Sequence, residues 1–233
     1  VLHKIMPLPD GLHFTPAMSA RAILSQQVTI LEKDMPYSER EGESKLKIWK
    51  DGKRFLSVIL SNIVLYMPYK LFSFLGLVCI VLGGLAISVP FLFYVQQHFL
   101  EDWMLYRVVI AELFFITGFL FLSFASLSHH VISFTLKPNI ENKKNIWHYL
   151  YFGKSAVLFS LLSYLTGFLL IFNSFWDRIT TGLTAEHWSR YLAMIFFNLL
   201  GTIIICTFLA NNVLTLVKDR FLYIQSEVKN ESF

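Results

Sequence analysis

The chain has 233 residues, of which 55% are hydrophobic, 16% aromatic and only 15% charged. A water-soluble domain carries about 25% charged residues, so this balance argues against an ordinary soluble enzyme and for a membrane protein, as does a mean hydropathy of +0.54. The formal charge of +4 is small, and no nucleic-acid partner is expected. Cys79 and Cys206 both lie inside apolar runs, where cysteine behaves as a small hydrophobe, so neither a disulfide framework nor a thiolate metal site is expected.

Residues 1–45 are mixed in character. "PLPDG" is a turn signal. "TPAMSARAIL" reads as a short helix, with Thr15 as its cap, Pro16 at its first position and Ala17, Ala20, Arg21 and Ala22 after it. The β-branched apolar run from Val28 to Leu31 reads as a strand. Roughly 40 residues cannot bury an adequate core, so this segment is expected to be the C-terminal remnant of a cytosolic α/β domain. The initial valine hints that the natural polypeptide begins earlier.

Residues 46–66 mix Ile48, Trp49, Phe55, Leu56, Val58, Ile59 and Ile63 with Lys47, Lys50, Lys53 and Arg54. Lys45, Lys47, Lys50, Lys53 and Arg54 against Asp51 concentrate positive charge at residues 45–54. Such a segment fits an amphipathic helix in the headgroup layer, with Lys47, Trp49, Lys50, Lys53 and Arg54 at the membrane interface. Gly52 weakens its middle, where a bend or break is expected. A solvated basic loop is the plainer alternative.

Four apolar runs follow at about 71–95, 108–132, 152–174 and 191–217 within a membrane domain of residues 67–217. Each is long enough to cross a hydrocarbon core of about 30 Å as a helix, and helices satisfy their backbone groups internally. The only acidic residue in these runs is Glu112, for which solvation near the outer interface or pairing with Arg107 is expected. Aromatic residues such as Tyr69, Trp103, Tyr106, Trp176, Trp188 and Tyr191 gather near the ends as an interfacial belt. Counted from Lys45 onward, basic residues in the flanks of the runs number six, one, four, two and three, which predicts that both termini, including the tail at 218–233, are cytoplasmic. Asn198, Asn211 and Asn212 are expected to bond to neighbouring helices. The adjacent His129 and His130 point in different directions on a helix and are not expected to share a metal. Gly76, Gly83 and Gly84 allow close packing within or between protomers, so a homo-oligomer is a reasonable expectation.

The stretches "PDGLHFTPAMSARA", "EKDMPYSEREGESKL" and "KDGKRFL" together resemble the C-terminal part of family 2 glycosyltransferases of the polyprenyl-phosphate (dolichol-phosphate mannose synthase-like) type. Gly11, Phe14, Arg21 and Ala22 match that family's G-x-x-F…R-A helix. Arg40, Gly42, Ser44, Lys45 and Leu46 match its R-x-G-x-S-K-L loop with identical spacing. The resemblance covers about residues 6–60. Two departures stand beside it: Ala17 occupies the place where dolichol-type enzymes carry a glutamate, and the D-x-D donor motif with its preceding αβ repeat is absent from this sequence.

The resemblance implies a mainly α chain: a remnant of a GT-A-like cytosolic domain, an interfacial helix and a four-span anchor in a membrane, expected to be a bacterial inner membrane. It implies transfer of a sugar from a nucleotide-sugar to polyprenyl phosphate, with the nucleotide-sugar and a divalent metal, Mg or Mn, held by a missing or separate domain. No cofactor is expected in this chain, which would be inactive alone. Residue chemistry is compatible with such an acceptor site. Arg40 offers a planar fork and Lys45 a point charge to a phosphate. Ser44 can donate a hydroxyl, Gly42 allows close backbone approach, and Arg21 could join them. The plainer reading is a surface loop with ordinary ion pairs, and for Arg21 a packing role. A small four-span carrier or flippase for lipid-linked sugars, or a scaffold for a catalytic subunit, is the rival.

Overall fold

The computed structural model of the protein describes residues 5, 6, 8, 10, 14–25, 29–31, 33–36, 48–135, 154–181 and 187–231. These form six helices: α1 (Phe14–Ser25), α2 (Ile48–Tyr66), α3 (Pro68–Gln97), α4 (Leu105–Thr135), α5 (Lys154–Thr181) and α6 (Trp188–Glu231), with a short 3-10 turn at Asp102–Met104. Among the described residues there is no strand. Thr29–Leu31 are neither helix nor strand, which corrects the strand expected there; Val28 lies outside the described residues. A lone β-branched run has no second strand to take its N–H and C=O groups, and propensity cannot supply one. The expected α/β remnant is therefore represented only by α1 and irregular chain. Helix α1 also starts earlier than its sequence signal, so that Thr15 lies inside the first turn rather than capping it. Pro16 is still within that turn, where a missing N–H costs nothing.

Helices α3 to α6 contain segments long and apolar enough to cross a membrane, at Pro68–Gln97, Asp102–Ser133, Ser155–Phe172 and Trp188–Ile224. Only 17–28% of each crossing window is buried inside the protein. The rest of that apolar surface faces outward, an arrangement suited to lipid and costly in water. Helix α3 begins with Pro68 in its first turn and ends at His98, whose left-handed φ of 61° closes the last turn as its N–H reaches Tyr94 O at 2.8 Å. Pro90 lies inside α3 and is buried.

The four helices form two antiparallel hairpins, α3–α4 and α5–α6, joined along α4 and α6. Glycine sets the first hairpin. A Cβ placed on Gly76 would lie 3.0 Å from Gly118 O, one on Gly118 would lie 2.9 Å from Ile80 Cγ1, and one on Gly83 would lie 3.2 Å from Ala111 O. The backbones touch where those side chains are missing. Lipid gives no hydrophobic force between helices, so close van der Waals contact of this kind is what holds them. Gly84, also expected to pack closely, has open space around it. The second hairpin combines small residues with hydrogen bonds: Ser160 Oγ donates to Gly201 O at 3.0 Å, Ser163 Oγ donates to Phe197 O at 2.6 Å, and the Ser174 and Tyr191 hydroxyls meet at 2.9 Å.

The seam between hairpins carries Phe115 against Phe196, ring centres 6.2 Å apart, and Asn211 Nδ2 directed at Ser126 Oγ at 3.4 Å. Asn211 is fully buried, as its expected interhelical role requires. Asn198 instead bonds within its own helix, to Met194 O at 2.9 Å, and Asn212 is exposed. These contacts make α4 and α6 parallel. The bundle thus has a proximal end, with the starts of α3 and α5, and a distal end bearing the Asp102–Met104 turn. At the distal end Trp188 Nε1 donates to Asp102 at 2.9 Å, Trp103 Nε1 donates to Glu101, and the Arg107 guanidinium lies 6.0 Å from the Trp103 ring centre.

The two glycine environments predict opposite outcomes. Gly118→Leu should lower stability by about 1–3 kcal/mol, because the opposing backbone cannot yield as a side chain could. Gly84→Ala should be neutral or stabilising by up to about 1 kcal/mol, since it removes a helical glycine without a clash. Thermal unfolding of the purified variants in one detergent checks this, and equal melting temperatures would contradict the tight seam.

Candidate functional site

At the proximal end α2 runs into α3 with one residue, Met67, between them. The helix is continuous through Gly52, which corrects the expected bend: its flanking residues carry enough packing and propensity to absorb one glycine. Lys53, Ser57 and Ser61 follow one another at i, i+4, i+8, and Leu56, Leu60 and Val64 do the same one row over. Helix geometry puts residues four apart on one face, so α2 carries a polar rail beside an apolar one.

Both rails line an open groove of about 1250 Å³, together with Pro68 and Phe72 of α3 and Leu127, Ser128, Val131 and Ile132 of α4. Arg21 of α1 lines it too. The groove therefore has cations and hydroxyls along one side and a hydrocarbon wall along the other. Tyr69 and His129 cross its neighbourhood as an edge-on ring pair with centres 5.0 Å apart. This contact fixes the start of α3 against the end of α4. No group of three His, Cys, Asp or Glu side chains that could hold a metal occurs among the described residues.

Arg21 is held rather than loose. Its Nε donates to Asn62 Oδ1 at 3.0 Å and its Nη1 to Ile5 O at 3.3 Å. Asn62 is 2% exposed, and its Nδ2 has no partner among the described residues. Ala17 is fully buried on α1. One arginine thus both docks α1 on α2 and lines the groove. Sequence reasoning missed Asn62. The available signal was a lone amide in the apolar half of an amphipathic helix.

The other expected site residues divide. Arg40, Gly42, Ser44, Lys45 and Lys47 lie outside the described residues. Trp49 and Lys50 are exposed on the first turn of α2, as an interfacial helix requires. Lys53 is exposed and faces the groove, whereas Arg54 sits 3.8 Å from Asp51 in a partly exposed i, i+3 pair. Such a pair contributes little to stability. The expected partnership of Glu112 with Arg107 is corrected: Arg107 lies over Trp103, and Glu112 Oε1 is buried without a hydrogen-bond partner among the described residues. The two residues are five apart, about 1.4 turns, which puts them on different faces of the helix.

No protein-family model matches the chain, and no curated protein or solved structure matches it.

Replacing Asn62 by Ala should loosen α1. A buried hydrogen bond to a charged group contributes about 1.5–3 kcal/mol, so hydrogen exchange in residues 14–25 should accelerate by at least about tenfold while α3 to α6 keep their protection. Unchanged exchange in α1 would mean that Arg21 is not its anchor.

Proposed function

We propose that the chain is the membrane-embedded, lipid-phosphate-binding part of a glycosyltransferase that moves a sugar from a nucleotide-sugar to a polyprenyl phosphate. The observation that carries this reading is the proximal groove, whose polar and apolar rails run side by side along α2. A free phosphate would need only the cations, and a plain hydrocarbon only the opposite wall. An amphiphile with an anionic head uses both. Arg21 and Lys53 meet the head, Ser57, Ser61 and Ser128 add hydroxyl donors, and Leu60, Val64 and Phe72 take the first isoprene units.

The chemistry asks little more of an acceptor site. A phosphate monoester is already ionised at neutral pH, so no general base is needed to make it a nucleophile. Cations that hold its oxygens in line with the anomeric carbon supply positioning and charge stabilisation. In this proposal the loop of Arg40, Gly42, Ser44 and Lys45 completes the phosphate site from the chain just before α2. The sugar donor and its divalent metal belong to another domain or chain, and both termini of the membrane part face the donor side. The carrier reading draws less support, because Ser160, Ser163 and Ser174 of α5 are engaged in bonds to α6.

Binding of radiolabelled farnesyl phosphate to the purified chain tests the proposal, with farnesol as the head-free control. Lys53→Glu should weaken farnesyl phosphate by about tenfold or more and leave farnesol unchanged. Leu60→Asp should weaken both. Farnesyl phosphate binding no better than farnesol, or indifferent to Lys53→Glu, would refute the groove as a phosphate site. Arg40→Ala with Lys45→Ala should abolish transfer in an assembly that supplies the donor site, and unimpaired transfer would refute their role.

A further inference from the structure

The distal end holds a second hollow, of about 450 Å³, where all four crossing helices contribute. Its walls include Phe91 of α3, Phe115 of α4 and Phe196 of α6, and Glu112 and Arg190 both open onto it. Glu112 stands two helical turns inside α4, within the crossing segment Asp102–Ser133. Its Oε1 is buried and has no hydrogen-bond partner among the described residues. Glu112 as a whole is half-buried, but a buried oxygen without a partner is costly, and an ionisable group within a membrane helix points to a functional site.

What would complete this site follows from the charge. A neutral polyol would satisfy the oxygen's hydrogen bonding but bring no positive charge into contact with the carboxylate. A bare metal ion would find one carboxylate and no second acidic or imidazole ligand grouped with it among the described residues. An organic ammonium brings both a full positive charge and N–H donors. Aromatic faces, here three phenylalanine rings, attract such a cation further. Arg190 gives the same hollow a positive group, which suits a headgroup that carries a phosphate beside its ammonium.

We propose that the distal hollow binds the ammonium group of a zwitterionic phospholipid headgroup, with Glu112 as its counter-charge and Phe91, Phe115 and Phe196 as its walls. This site is separate from the proximal groove, and neither depends on the other. A bilayer around the crossing segments of α3 to α6 would supply the ligand directly.

The test uses the full chain in a maltoside detergent and native mass spectrometry of bound lipid. The probes are dioleoyl-phosphatidylethanolamine and dioleoyl-phosphatidylglycerol, which share chains and phosphate but differ in the amine. Glu112→Gln keeps the shape of the side chain and removes the charge. It should weaken retention of phosphatidylethanolamine by about tenfold and leave phosphatidylglycerol, which can use the proximal groove, unaffected. Ala193→Phe, which fills the hollow without altering charge, should do the same, and it guards against a folding defect peculiar to Glu112. Free ethanolamine then identifies the source. Displacement of the lipid at millimolar amine means the ammonium alone suffices, and no displacement means the whole headgroup is read; both uphold the site. If both variants retain phosphatidylethanolamine as the unmodified chain does, or lose both lipids equally, the inference is overturned.

Discussion

Along the face where α3 meets α4, Gly76, Gly83 and Gly118 bring two backbones into contact, and the position of nearly everything else follows from that contact. The seam fixes the start of α3 against the end of α4, which places Phe72 beside Leu127 and Val131 as a wall of the proximal groove. It equally fixes the end of α3 against the start of α4, which places Phe91 near Glu112 in the distal hollow. Two cavities at opposite ends are thus set by one run of missing side chains. Lipid supplies no hydrophobic pressure to do this instead.

The second hairpin reaches a similar result by a different route. Ser160, Ser163 and Ser174 cross-link α5 to α6 through hydroxyl bonds, with Gly201 serving as an acceptor rather than only as a gap. In water such bonds would compete with solvent, but in hydrocarbon no competitor is present. The seam joining the hairpins rests on Phe115 against Phe196 near one end and Asn211 with Ser126 near the other.

Most of this architecture was legible in the sequence. The four spans stand out because residues such as Leu77, Val81 and Leu85 continue an apolar run far beyond what a soluble core helix needs. Helix α2 was legible because Trp49, Phe55, Leu56 and Ile59 share one segment with Lys50, Lys53 and Arg54. The roles of Gly76 and Gly84 were not separable, because spacing shows that a glycine permits close approach but not which neighbour takes it up. The strand expected near Ile30 failed for a related reason: β propensity is local, whereas a strand needs a partner that sequence order alone does not guarantee. For Arg21 a place in an anion site and a packing role both stood open, and its bond to Asn62 was not legible because it joins residues 41 positions apart. Of the two expectations for Glu112, pairing with Arg107 failed because Arg107 was weighed as a neighbour in sequence, while the facing helices could not be.

Helix α6 is 44 residues long, about 66 Å at the usual rise, roughly twice the thickness of a hydrocarbon core. Its C-terminal portion, with Lys218, Asp219, Arg220 and Glu227, continues without interruption from the segment that holds Asn211 against Ser126. An unbroken helix is a stiff rod. A small rotation or tilt of α6 in the seam between the hairpins would therefore be carried as a sweep of the charged tip, magnified by the lever's length.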